Sequence, residues 1–117
     1  MRYAIGCTYT DPITKKISSP YLVTYDENYM RCELTLNKYS YLKGKQIVCI
    51  YDKCICQSII NMVKIQMNKY SNYKYYLLKV DSLNFPYKGF VHVSPSKVSY
   101  DTIIALTLSI LQFSSTA

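Results

Sequence analysis

The sequence predicts a small α+β protein with a mainly antiparallel sheet and a buried helix at its C-terminal end. Several short stretches alternate apolar and polar residues, as half-buried strands do. One longer stretch spaces its apolar residues as an amphipathic helix does, and a late run is apolar almost all round. Half of the 117 residues are hydrophobic, which suffices for one modest core. We therefore expect a single α+β domain over residues 1–117.

The first third of the chain has the pattern of a three-stranded meander. Residues 2–9 alternate between two faces, residues 21–25 form the returning strand, and residues 29–37 have the clearest period of two. Pro20, at the start of the second strand, predicts an edge position, because a missing N–H is tolerated there. In the third strand, the side chains expected to point inward are Met30, Cys32, Leu34 and Leu36, and those expected to face water are Arg31, Glu33, Thr35 and Asn37.

The rest of the chain predicts the order strand, helix, strand, strand, helix. Residues 46–51 are apolar on both faces, which favours a central strand. Residues 54–67 repeat apolar side chains at every fourth position, which predicts a helix, although their β-branched residues leave extra strands as an alternative. Residues 73–80 and 90–93 are predicted to pair as an antiparallel hairpin. Residues 103–113 predict the buried final helix.

The charge balance favours an anionic partner. The formal net charge is +7, from 14 basic and 7 acidic residues, and all but Arg2 and Arg31 of the basic residues are Lys. The shortage of Arg argues against bidentate recognition of phosphate or guanine. The abundance of Lys, Ile, Asn and Tyr is typical of AT-rich genomes, which many viruses and some archaea and protists have, so the composition is compatible with a viral origin.

The predicted hairpin is the candidate binding site, because residues 69–93 concentrate Tyr and Lys around two short apolar runs. Exposed aromatic rings beside positive charge are what single-stranded RNA or DNA can use. The same Tyr residues could instead pack a sheet, or serve a non-catalytic protein–protein interaction module, a homodimer included. The candidate nucleic-acid-binding residues are Tyr73, Tyr75, Phe90 and His92 for stacking and Lys74, Lys79 and Lys88 for phosphate.

Residues 88–93, Lys-Gly-Phe-Val-His-Val, are similar to the start of the RNP1 motif of RNA-recognition motif domains. The resemblance implies that Phe90 and His92 stack bases on an open sheet face. The element order from residue 46 onward also supplies five of the six elements of a ferredoxin-like unit. Four of eight motif positions match, so we do not assign the chain to this family. The departures are Val91 for a small residue, Pro95 for an aromatic one, and Cys49 for an aromatic one on the partner strand.

No catalytic residue, metal or cofactor is predicted. His92 is the only histidine, and the carboxylates lie mostly in predicted turns. Cys54 and Cys56 are too closely spaced for a zinc knuckle, so the five cysteines are expected to be structural thiols. No segment resembles a secretion signal, and the longest apolar run is too short to span a bilayer. We therefore expect an intracellular, cytoplasmic protein that is not an enzyme and has no membrane partner.

Overall fold

The structure, a computed structural model, describes residues 2–67, 72–80 and 89–93. It confirms the predicted α+β class, and every strand and helix predicted in this part of the chain is present to within two residues. The predicted final helix, residues 103–113, lies outside the described residues. The elements are β1 (Tyr3–Tyr9), β2 (Tyr21–Asp26), β3 (Arg31–Leu36), α1 (Tyr39–Leu42), β4 (Gln46–Ile50), α2 (Lys53–Met67), β5 (Tyr73–Lys79) and β6 (Gly89–Val93).

The strands form one sheet from three two-stranded ribbons that meet at a junction. β5 pairs with β1 and β3 with β2, both antiparallel, and β6 pairs with β4 in parallel. The inner strands β1, β2 and β4 also pair with one another, and all three of these short contacts are antiparallel. Three neighbouring strands cannot all be antiparallel in a flat sheet, so they must twist apart around the junction.

The predicted hairpin of residues 73–80 with 90–93 is wrong. β5 lies against β1 and β6 lies against β4, so the two strands are not hydrogen-bonded partners. In a ferredoxin-like unit the second and third strands along the chain form an antiparallel hairpin. β5 and β6 would be these strands, and because they do not pair, the structure does not support the ferredoxin-like arrangement. β5, which carries the Tyr and Lys residues, and β6, which carries Phe90 and His92, instead belong to two different ribbons of the sheet.

The predicted edge position of β2 is also wrong. β2 has β3 on one side and both β1 and β4 on the other. Pro20 lies immediately before β2, where the ladder does not require its missing N–H. Its carbonyl accepts a hydrogen bond from the Asn37 N–H at 2.9 Å. The N-terminal meander itself, with the order β3, β2, β1, is confirmed.

Helix α2 covers one face of the sheet and forms the larger core. The helix begins after Asp52, whose carboxylate accepts hydrogen bonds from the Cys54 and Ile55 N–H groups at 2.7 and 3.2 Å. Burying one aliphatic side chain in such a core contributes about 1.5–3 kcal/mol. The buried residues of this core are Ile5, Cys7, Val23, Cys32, Val48, Ile50, Cys56, Ile59, Ile60, Val63 and Tyr75.

The opposite face of the sheet carries a smaller core, which changes two predictions about β3. Thr35 is buried instead of facing water, and its hydroxyl lies 2.7 Å from that of Thr24. Met30 is largely exposed instead of pointing inward, because β3 begins only at Arg31 and Met30 lies in the preceding turn with φ +51°. The buried residues of the smaller core are Ala4, Leu22, Leu42, Ile47, Cys49 and Val80. No helix among the described residues is long and apolar enough to cross a membrane.

Candidate functional site

Tyr75, one of the predicted stacking residues, lies in the core. It is opposite Cys7 on β1, and its side chain is on the face that α2 covers. Only 3% of Tyr75 is exposed, so its ring is not accessible to a base. The strand alternation that puts Tyr73 and Tyr75 on one face is present, but that face points inward. The stacking role predicted for Tyr75 is therefore wrong.

Tyr73 is half-buried at the end of the same face. Its ring packs against Tyr9, the residue opposite it on β1, with ring centroids 5.1 Å apart and planes inclined by 50°. Burial raises the pKa of the Tyr73 phenol, and the neighbouring Cys7, Tyr9 and Tyr21 raise it further. Tyr73 thus lies at the edge of the larger core, and its ring is in contact with that of Tyr9.

Lys74 and Lys79, the two predicted phosphate contacts on β5, do not share a face. Lys74 and Lys79 are both exposed on β5, but they project from opposite faces of the strand. The β6 backbone pairs Phe90 with Ile47 and His92 with Cys49, on a different ribbon from β5. Lys88 lies outside the described residues. The roles predicted for Phe90, His92 and Lys88 stay predictions.

A different basic and aromatic surface is present in residues 38–45, Lys-Tyr-Ser-Tyr-Leu-Lys-Gly-Lys, which we call the 38–45 segment. It contains α1 and the turn into β4. Tyr39 is 60% exposed and Tyr41 is 54% exposed. The three lysines of the segment, Lys38, Lys43 and Lys45, are exposed as well.

The 38–45 segment is held firmly against the sheet. Leu42 is fully buried in the smaller core and anchors the segment at its centre. The Tyr41 and Leu42 N–H groups donate to the Lys38 carbonyl, and the Lys43 N–H donates to that of Tyr39. Gly44 then turns the chain into β4 with φ +80°, a conformation that suits glycine. The exposed rings are therefore fixed to a stable support.

Positive charge dominates the 38–45 segment. No Asp or Glu occurs between Glu33 and Asp52 in the sequence. Carboxylates lie near the end of the segment, where Gly44 and Lys45 help to line a shallow depression of about 180 Å³. The acidic residues that line this depression are Asp26, Glu27 and Glu33, the last of which pairs with Arg31 at 3.7 Å.

The sequence contained a signal for the 38–45 segment that our sequence analysis missed. Two Tyr and three Lys fall within eight positions that contain no acidic residue. In a short turn such residues have few opportunities to become buried, whereas the Tyr residues of β5 alternate into the core. A local concentration of Tyr and Lys outside a strand therefore predicted exposed rings better than the same residues within a strand did.

Four of the five cysteines are buried free thiols. Cys7, Cys32, Cys49 and Cys56 are buried, and Cys54 is exposed at the start of α2. Burial raises the pKa of the Cys7, Cys32 and Cys56 thiols to about 12, so they stay protonated at neutral pH. Among the described residues, no group of three or more His, Cys, Asp or Glu side chains is placed to hold a metal ion.

Comparison with known proteins leaves the family open. No protein-family model matches the chain, and neither a curated protein nor a solved structure is significantly similar to it.

Proposed function

We propose that this protein binds single-stranded nucleic acid through the 38–45 segment. The observation that carries the proposal is the exposure of Tyr39 and Tyr41 beside three lysines, on a turn that Leu42 anchors in the core. Aromatic rings that stack with bases, next to cations that contact phosphates, are the usual parts of a site for single strands. The net charge of +7 supports the same class of partner.

The geometry of the segment indicates how a strand would bind. Tyr39 and Tyr41 are two residues apart on a helical turn, about 200° around its axis, so their rings point to opposite sides of the turn. They would contact two different bases and not sandwich one. Lys supplies a point charge without the planar fork of Arg, and every base offers a stacking face. We therefore expect binding with little sequence preference.

Fluorescence anisotropy with labelled single-stranded DNA and RNA, measured over a range of salt concentrations, tests the proposal. Replacing Tyr39 or Tyr41 with Ala should weaken binding by about 1–3 kcal/mol with the salt dependence unchanged. Replacing Lys38, Lys43 or Lys45 with Gln should each lower the slope of log K against log salt by about 0.7.

Two variants away from the segment serve as controls. Tyr51→Ala removes a partly exposed ring at the other end of β4, and Lys64→Gln removes an exposed charge from α2. Both should bind oligonucleotides nearly as the wild type does. The proposal is wrong if the wild type binds no oligonucleotide at low salt, or if the controls weaken binding as much as the segment variants do.

A protein–protein interface is the second candidate, and the turn between β2 and β3 favours it. Tyr29 and Met30 are largely exposed there, and the Arg31 guanidinium lies 5.1 Å from the centre of the Tyr29 ring. Tyr, Met and Arg are the residue types enriched at protein interfaces. Should the protein run as a dimer that resists salt and dissociates on Tyr29→Ala, while it binds no oligonucleotide, this candidate replaces the first.

A further inference from the structure

The loop between β1 and β2, residues 11–17, exposes more aliphatic surface than a free loop needs. Ile13 is 88% exposed, the highest value for any large apolar side chain of the described residues, and Ile17 is 67% exposed. Lys15 and Lys16 lie between them and are exposed too. The loop thus carries two exposed aliphatic side chains and two positive charges, against the single negative charge of Asp11, which makes its net charge positive. We call it the 11–17 tip.

The 11–17 tip is closed by hydrogen bonds at its base. The Asp11 N–H donates to the Lys16 carbonyl and the Ser18 N–H donates to the Tyr9 carbonyl, at 2.9 and 2.7 Å. Thr10 and Ile17 form an isolated β-bridge. Because the loop is already ordered, little conformational entropy is lost when its side chains bind something.

Within the tip, the N–H groups of residues 13–16 all have partners in the tip itself. Pro12 has none, and the N–H groups of Ile13 and Thr14 donate to the Asp11 carboxylate at 2.8 and 2.9 Å. The Lys15 N–H donates to the Asp11 carbonyl at 2.9 Å, and the Lys16 N–H to the Thr14 hydroxyl at 3.4 Å. In water these groups could bond to solvent instead. Away from water an unpaired N–H is costly, so these bonds lower the cost of moving residues 13–16 out of water.

We propose that the 11–17 tip docks on the surface of an anionic phospholipid membrane, with Ile13 and Ile17 in the boundary of the acyl chains and Lys15 and Lys16 at the headgroups. Aliphatic burial with lysine at the headgroup level is how interfacial segments bind bilayers. The expectation of no membrane partner rested on the length needed to span a bilayer, which peripheral docking does not require.

The composition of the tip favours lipid over the other macromolecules. Protein interfaces are enriched in aromatic residues, Met and Arg and depleted in Lys, and the tip has two Lys and none of the enriched types. Single-stranded nucleic acid needs rings for stacking, which the tip also lacks. Aliphatic burial and the attraction of Lys to negative charge do not depend on precise geometry. The surface of an anionic bilayer, which is fluid, provides both.

The absence of Trp from the chain permits a direct test. Ile13→Trp places a single indole at the tip, and Ile65→Trp places one on the exposed side of α2 as the matched control. With vesicles of phosphatidylcholine and phosphatidylserine, the emission of the Ile13→Trp variant should shift to the blue and be quenched by brominated lipid. The Ile65→Trp emission should do neither, and phosphatidylcholine alone should produce no shift.

Vesicle sedimentation of the full chain separates insertion from general charge attraction. Ile13→Ser should weaken binding at least about tenfold, since it removes the burial of a large aliphatic side chain. Lys15→Gln and Lys16→Gln should each weaken it about fivefold, whereas Lys64→Gln should have little effect. An equal shift for both Trp variants, no shift for either, or wild-type binding by the Ile13→Ser variant would each overturn the proposal. Loss of oligonucleotide binding by the 38–45 variants would leave these results unchanged.

Discussion

Gly6 in β1 lies where the sheet leaves no room for a side chain. Tyr76 lies directly opposite on β5, and its ring covers the Gly6 backbone. A Cβ at Gly6 would stand 2.5 Å from Cε2 of Tyr76 and 3.0 Å from Cδ1 of Leu78. Glycine in a strand normally weakens it, but here it allows an aromatic ring to pack on the backbone.

Replacing Gly6 with Ala should therefore lower the free energy of unfolding by about 1–3 kcal/mol, the usual cost of overpacking. Urea denaturation measures the change. Gly44→Ala is the comparison, because a Cβ there meets nothing within 4 Å and the cost of about 1 kcal/mol comes from its φ of +80° alone. If the clash with the ring is the cause, the Gly6→Ala loss should shrink in a Tyr76→Ala background. An undiminished loss would refute that cause.

At the scale of elements, the four residues of α1 include one that anchors the helix in the core and two that are exposed to water. Leu42 is fully buried in the smaller core, whereas Tyr39 and Tyr41 leave most of their surface in water. Such a short helix has little stability of its own, so tertiary contacts must hold it. The anchoring residue and the proposed binding residues can therefore be changed independently.

We expect Leu42→Ala to lower the free energy of unfolding by about 2–5 kcal/mol, because it leaves a cavity in the core. Tyr39→Ala and Tyr41→Ala should each change it by no more than about 0.5 kcal/mol, as exposed positions do. Thermal or chemical denaturation gives all three values. A large loss for either Tyr variant would mean that its ring supports the fold, and would weaken the case for a binding role.

The strands and α2 were predictable from the sequence, and so was the order of β1, β2 and β3, but α1 and the partners of β4, β5 and β6 were not. The alternation of residues 29–37 and the apolar run of residues 46–51 describe the faces of each strand, and these depend on local order only. Nothing in the pattern of β5 encodes that its partner is β1, because Tyr73 pairs with Tyr9 across more than sixty positions of sequence. The adjacency of residues 73–80 and 90–93 along the chain suggested a hairpin that the fold does not form.

The stacking role predicted for Tyr75 was wrong for the same reason. A Tyr on a strand has the same local pattern whether it faces water or a helix, and only the position of α2 decides that Tyr75 is buried. Thr35 is a similar case. Its polar side chain predicts exposure, but in the fold its hydroxyl lies 2.7 Å from that of Thr24, so it can be buried with a hydrogen-bond partner. The 38–45 segment, by contrast, depends on local composition and could have been predicted.

At the scale of the whole molecule, the buried thiols link stability to pH. Folding raises the pKa of Cys7, Cys32 and Cys56 from an ordinary value of 9.0 to about 12. Above pH 9 the unfolded chain loses these protons while the folded chain keeps them. The stability that they contribute is therefore complete below pH 9 and is lost as the pH rises towards 12.

Between pH 8 and 10 the free energy of unfolding should fall by about 1 kcal/mol for each of these thiols, since a full proton of difference is worth about 1.36 kcal/mol per pH unit. Urea denaturation under reducing conditions measures the fall. Cys32→Ala should reduce the fall by about 1 kcal/mol, and Cys54→Ala, which removes the exposed thiol, is the comparison variant. An equal slope in the wild type and the Cys32→Ala variant would contradict the assignment.

The three-ribbon junction also determines the order in which the chain can fold. The β2–β3 ribbon pairs residues 5–15 positions apart and can close as soon as both strands exist. The β1–β5 ribbon joins residues 64–76 positions apart, so it pays a larger loop-closure entropy and folds more slowly. During synthesis β1 leaves the ribosome before the other described strands. The edge of β1 that pairs with β5 has no partner until β5 has been made. Until then this edge can pair with other chains, so we expect β1, which pairs with three other strands in the finished sheet, to be prone to aggregation while the protein is being made.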